Sequence, residues 1–126
     1  MMMNQHRGEI KGKLGDKERT FKLSFESIVN IENRTGKSVI VLTTDMAQAK
    51  YSFKDLIIIL HEGLLAMGDK IVQEAVGDMV MKTGIVGASE LAGNLLATAF
   101  TGEAKEENDP LAKAENNQTT TQSKNT

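Results

Sequence analysis

Glu9-Ile10-Lys11-Gly12-Lys13-Leu14-Gly15-Asp16-Lys17-Glu18-Arg19-Thr20-Phe21-Lys22-Leu23-Ser24-Phe25 changes its apolar period once, and the change decides the fold. Ile10, Gly12 and Leu14 share one parity. Phe21, Leu23 and Phe25 share the inward parity of a second arm, while Lys11, Lys13, Thr20 and Lys22 fall on the opposite face. Strand side chains alternate between faces, and Gly15-Asp16 accepts the positive φ of a tight turn, so the stretch reads as a β-hairpin over 8–14 and 17–24. At Ser24 the spacing becomes helical. Phe25, Ile28, Val29 and Glu32 recur every three or four residues, and the Ser24 hydroxyl is placed to accept from the first unpaired amides.

Outward from that switch, the first helix is expected over 25–34, ending at Gly36, a natural left-handed cap. Ser38 can cap a second helix over 39–49, although Val39-Ile40-Val41-Leu42-Thr43-Thr44 is β-branched enough to form a strand, so both readings stay open. Ser52 with Asp55 opens a third helix over 53–67, whose stripe is Phe53, Leu56, Ile57, Leu60 and Leu64. Ile58, Ile59 and Leu65 widen that stripe beyond one neighbour's reach, so this helix is either central to the bundle or partly a binding face. Asp69 is the expected cap of a fourth helix over 70–82, which carries Val72, Ala75, Val76, Met79 and Val80. Gly84 and Gly87 are expected to break it before a fifth helix over 88–101, with Leu91, Ala92, Leu95, Leu96, Ala99 and Phe100. Residues 103–126 hold almost no apolar side chains to offset the entropy of ordering and read as a disordered polar tail. The expected class is therefore α+β: an N-terminal hairpin, then a small bundle of four to five helices, in one domain over 1–102.

Composition narrows the chemistry. A chain of 126 residues supports a single core. With aromatics at 4% and no Trp, that core is built from aliphatic residues and Met, which favours packed helices. Cysteine is absent, which removes disulfides, thiolate zinc sites and a Cys nucleophile together. The run Leu56-Ile57-Ile58-Ile59-Leu60 is too short to span a bilayer, and the first eight residues lack the apolar stretch of a secretory signal, so a cytoplasmic location and no membrane partner are expected. Residues 1–24 hold six Lys and Arg against three Asp and Glu, while residues 103–126 hold three against five. Neither is the strongly basic face that phosphate backbones require, so nucleic acid is not an expected partner.

Two motifs look chemical and fail on inspection. Thr35-Gly36-Lys37-Ser38 ends like a phosphate-binding loop, but that loop needs a Gly where Ile31 stands and a strand where Phe25–Glu32 reads as helix. A helix cap followed by a helix start explains the same residues. His61-Glu62 opens like a zinc-protease helix, but Leu65 occupies the place of the second His. His61 then reads as a helix residue near the rim of the apolar face, and no serine has a plausible His and Asp set. Met67, Met79 and Met81 serve either as an adaptable binding surface or, more simply, as core filling. The expectations are no catalytic residue, no cofactor and no metal, and a binding or assembly role.

From Arg7 to about Gly68 the chain resembles the tail assembly chaperones of gene transfer agents and related long-tailed phages. The resemblance is carried by Arg7-Gly8-Glu9-Ile10 leading into a hairpin through Leu14-Gly15-Asp16-Lys17, and by Ile31-Glu32-Asn33-Arg34-Thr35-Gly36-Lys37-Ser38 closing a helix. Tyr51-Ser52-Phe53-Lys54-Asp55-Leu56 and Glu62-Gly63-Leu64 complete it. The chain departs from the family at Val39–Thr44, where a more regular amphipathic helix is usual. The resemblance implies a protein that binds the tape measure protein, a long, mostly helical, apolar chain that sets tail length, and keeps it soluble until tail tube protein replaces the chaperone. A homo-oligomer is compatible with it. The third helix has more apolar residues than one core-facing stripe needs, and the segment after Gly84 is small and Gly-containing, which makes Ile58, Ile59, Leu65, Leu95 and Phe100 the expected partner-binding face. The rival reading is a small DNA-binding or adaptor regulatory protein, which rests on Lys11, Lys13, Lys17, Arg19 and Lys22 of the hairpin.

Overall fold

The computed structural model describes residues 8–101, so the expected tail over 103–126 lies outside the described residues. Strands β1 (Ile10–Leu14) and β2 (Lys17–Phe21) pair antiparallel, from Ile10 opposite Phe21 to Leu14 opposite Lys17. Gly15 turns the hairpin with φ of 77°. Ile10, Leu14 and Phe21 point inward and are buried, as their parity requires. A two-stranded ribbon is marginal alone. This one is held on three of the helices that follow, α3 (Phe53–Ala66), α4 (Gln73–Thr83) and α5 (Ile85–Thr101). The turn is tied to the end of α4, where the Gly15 amide donates to Thr83 Oγ1 at 2.7 Å and Lys82 faces Asp16 at 3.6 Å.

Serines open the first three helices. Ser24 and Ser27 form a reciprocal capping box at the start of α1 (Phe25–Thr35), and Ser38 and Ser52 accept from the amides of Val41 and Asp55. The stretch open to either reading is helix α2 (Val39–Ala47). Its threonines adapt to that state by folding back, with Thr43 Oγ1 donating to the Val39 carbonyl at 2.7 Å and Thr44 Oγ1 to that of Ile40 at 3.2 Å.

Helix α3 is the axis of the molecule. It packs against α1, α4, α5 and β2, and every residue from Asp55 to Leu64 is buried. One of its last carbonyls, Gly63 O, accepts the Lys22 amide at 3.2 Å, which joins the end of the hairpin to the helix. Gly63 itself permits the approach: a Cβ there would lie 2.7 Å from Leu95 Cδ2 and 3.3 Å from Phe21 Cβ.

Two expected helix starts shift, and one expected inward residue turns out. Helix α4 begins at Gln73 with Val72 as an N-cap that has no side-chain bond, so Asp69 is not its cap. The Asp69 amide is taken by Leu64 O at 3.2 Å, completing the end of α3, and the Ile71 carbonyl accepts from His61 Nε2 at 2.7 Å. Residues 69–72 are thereby spent as a connector. Helix α5 begins at Ile85, because Gly84 alone, with φ of 103°, turns the corner and Gly87 lies inside the helix. Phe25 is not inward but 86% exposed.

Candidate functional site

The residues that look most chemical in the sequence are all engaged in joining helices. Gly36 closes α1 in the left-handed conformation, its amide donating to Glu32 O. Thr35 Oγ1 donates to Ile31 O at 2.8 Å and accepts the Lys37 amide at 3.1 Å. The Glu32 carboxylate accepts the Val39 amide at 3.0 Å, and Ser38 caps α2. Lys37 Nζ lies 2.7 Å from Oδ2 of the buried Asp55, which fastens this junction to the first turn of α3. That hydrogen bond, and then the Asp55 charge, hold the Lys37 ammonium above the ordinary lysine range. No backbone amide nest remains here to curl around a phosphate.

Arg34 sets the rotation of α1. Its Nη1 donates to Glu62 Oε2 at 2.7 Å and its Nη2 to Gln73 Oε1 at 2.5 Å, while Asn30 Nδ2 donates to Glu62 Oε1 at 3.3 Å. The Glu62 side chain is only 6% exposed, so α1 must turn its polar residues toward α3 to satisfy it. The inward face of α1 is therefore Ser27, Asn30, Ile31 and Arg34, spaced by three and four residues, with Ser27 and Ile31 buried. The stripe Phe25, Ile28 and Val29, which a sequence reading buries, is rotated outward. Phe25 is 86% and Val29 39% exposed.

Beside that stripe lies an apolar cleft of about 160 Å³, lined by Ile28 of α1, Val39 of α2 and Leu96, Ala99 and Phe100 of α5. Phe100 is half exposed at its lip, and Ile40, next to Val39, is exposed as well. The arrangement offers shape and apolar contact to another chain and no group suited to moving protons or holding an ion. Among the described residues no cluster of His, Asp and Glu is placed to hold a metal.

The expected binding face divides. Ile58, Ile59 and Leu95 are at most 1% exposed and belong to the core, because α3 is enclosed by neighbours on all sides and Leu95 packs over Gly63. Leu65 and Phe100 remain at the surface, and only Phe100 borders the cleft. Ile28, Val39 and Ala99 line the cleft in addition; the spacing of Phe25, Ile28 and Val29 marks an apolar face on α1 but does not say whether that face turns inward or outward. Likewise His61 is not at a rim but buried, its Nε2 proton held by Ile71 O. Met79 packs against the core while Met81 is exposed. On the outer face of the hairpin Lys11, Lys13 and Glu18 are exposed; Arg19 instead donates from Nε to Leu14 O at 3.0 Å. Asp16 at the turn is held below the ordinary carboxylate range by a bond from its own backbone amide and then by Lys82.

Residues 7–102 match the family described as phage tail tube protein, GTA-gp10. Comparison with curated proteins and with solved structures finds no match. Among the described residues no helix is long and apolar enough to cross a membrane.

Proposed function

We propose a function from one premise: this chain belongs to the phage tail tube protein family, GTA-gp10, and its place is therefore in the structure or assembly of a phage-like tail. Within that role it acts as a non-catalytic assembly chaperone that binds the tape measure protein and keeps it soluble, in the cytoplasm, while the tail is built. The observation that carries this reading is the outward rotation of the α1 stripe beside the α1–α2–α5 cleft. A helix that spends its polar side on a buried carboxylate and leaves Phe25, Ile28 and Val29 toward solvent presents a ready surface for the apolar face of a partner helix.

Co-expression with the tape measure protein of the same gene cluster tests it. The wild-type chain is expected to hold that protein in the soluble fraction, and an Ile28→Ser/Phe100→Ser variant to remain folded and lose the effect. A wild-type chain that leaves the tape measure protein insoluble would sink the chaperone reading.

The family description supports a second reading, in which the chain is itself a tube subunit. Tube formation requires head-to-tail contacts that repeat. Electron microscopy of the purified chain separates the two, since rings or tubes at high concentration belong to a subunit, and small, non-polymerising particles to a chaperone. The DNA-binding alternative predicts salt-dependent retention on heparin, which the exposed Glu18 between the hairpin lysines argues against.

A further inference from the structure

The three helices around the apolar cleft carry a one-sided charge. Over α1, α2 and α5 the acidic residues are Glu26, Glu32, Asp45 and Glu90, and the one basic residue is Arg34. Arg34 is turned away to Glu62 at 2.7 Å, and Lys37, in the turn between α1 and α2, is turned to Asp55 at 2.7 Å. Among the described residues none of those four carboxylates has a cation within ion-pair distance. We infer that the cleft takes a basic amphipathic helix, with one large apolar side chain seated between Ile28, Val39 and Phe100, further apolar residues along Phe25 and Val29, and Lys or Arg flanking them opposite Glu26 and Glu32. The natural partner rests on the chaperone reading: helices of this kind in a tape measure protein are the ones the surface selects.

Two of the carboxylates stand beside the apolar surface. Glu32 lies one turn beyond Ile28, and its Oε2 accepts the amide of Val39, a cleft residue, at 3.0 Å, so its charge is held at the cleft wall. The amide is a neutral donor and leaves the negative charge to be matched by a cation. Glu26 is exposed and three residues before Val29, which makes the two neighbours on the surface of α1. Asp45 shares the field of Lys37 with Asp55, and Glu90 lies toward the other end of α5. The cleft itself has the size of one anchor: an apolar cavity of ~150 Å³ accepts a guest the size of benzene, and this one measures about 160 Å³. A helix that seats a Leu or Phe there carries its next apolar residues three and four positions away, over the exposed stripe. Acidic flanks on such a helix would meet Glu26 and Glu32 with like charge, so electrostatics selects against them.

Two designed peptides of about 18 residues, with leucine on one helical face and either lysine or glutamate beside it, test the site on the full chain by methyl NMR and calorimetry. The lysine peptide is expected to bind about tenfold or more tightly than the glutamate peptide. It should shift the methyl signals of Ile28, Val39 and Leu96 and leave those of Val76 and Val80, which lie in α4, unchanged. Glu26→Gln with Glu32→Gln, where the new amide oxygen can still accept from Val39, should bring the two peptides within about twofold of each other. Glu26→Gln alone, at an exposed position, should already narrow the gap, as should added salt. Ile28→Ser with Phe100→Ser should abolish binding of both peptides. Equal binding of the two peptides to the wild-type chain, preference for the glutamate peptide, no binding of either, or shifts confined to other surfaces would each overturn the inference. So would a preference that survives removal of both carboxylates. Failure here is distinct from failure of the chaperone reading: a chain that ignores these peptides and still holds the tape measure protein in solution keeps that role, and a chain that binds them while the tape measure protein precipitates keeps the site.

Discussion

Glu62 is a charge placed where a helix bundle ordinarily puts an aliphatic residue, and its cost is met by Arg34 and Asn30. Removing Arg34 leaves that carboxylate buried with one 3.3 Å bond. Arg34→Ala is expected to lower stability by about 3 kcal/mol, the lower part of the range for breaking a buried pair, since Arg34 is itself 26% exposed and water can reach the gap. Arg34→Met with Glu62→Leu should recover most of the loss in urea unfolding, because both desolvation terms disappear together. The recovered protein would still have lost what fixes the rotation of α1. Lys37 makes a second residue-scale prediction. Its folded-state pKa is raised above the ordinary 10.5, so its contribution is fully present below 10.5 and is lost as pH rises through the folded value. The melting-temperature gap between wild type and Lys37→Met should stay constant from neutral pH up to about 10.5 and close above it. A gap that persists at high pH would mean that packing of the lysine stem, and not the ion pair with Asp55, holds the junction.

At the scale of elements, what the sequence shows well is local chemistry. Gly15 needs positive φ, Ser24, Ser38 and Ser52 each cap a helix within three residues, and the parity of Ile10, Leu14 and Phe21 names the inward face of the hairpin; all of these are decided by near neighbours. What it hides is set by distant residues. Asp69 is as good a cap as Ser52, but Leu64 O claims its amide and His61 claims the carbonyl of Ile71, and α4 starts later. Glycines make the same point testable. In isolation Gly→Ala stabilises a helix interior by about 1 kcal/mol. At Gly93, where an added Cβ would meet only Met46 Cβ at 4.0 Å, that gain should appear in full. At Gly63 the same change drives a methyl into Leu95 and Phe21, and overpacking of roughly 1–3 kcal/mol should outweigh it. Thermal unfolding of the two variants is expected to move in opposite directions, and a stabilised Gly63→Ala protein would show that the hairpin can lift from α3 without penalty.

At the scale of the whole molecule, the surplus of apolar residues on α3 was legible but its meaning was not, because the same surplus describes a central helix and a binding face. Enclosure by α1, α4, α5 and β2 decides for the first. The apolar face available to a partner was hidden for the converse reason. Phe25, Ile28 and Val29 have ordinary core spacing, and only Glu62, thirty residues on, turns them outward. The two faces respond differently to the same chemistry. Ile58→Ser with Ile59→Ser removes two core side chains at roughly 2–5 kcal/mol each and adds buried hydroxyls. Total stability for a domain of this size is about 5–15 kcal/mol, so the pair should abolish the cooperative unfolding transition outright. Phe25→Ser with Val29→Ser removes one side chain that is 86% exposed and one that is 39% exposed and outside the core, so its melting temperature should stay within a few degrees of wild type while the tape measure protein falls out of solution. If the second pair also unfolds the chain, the α1 stripe is core after all; if it folds and still protects its partner, the binding face lies away from α1.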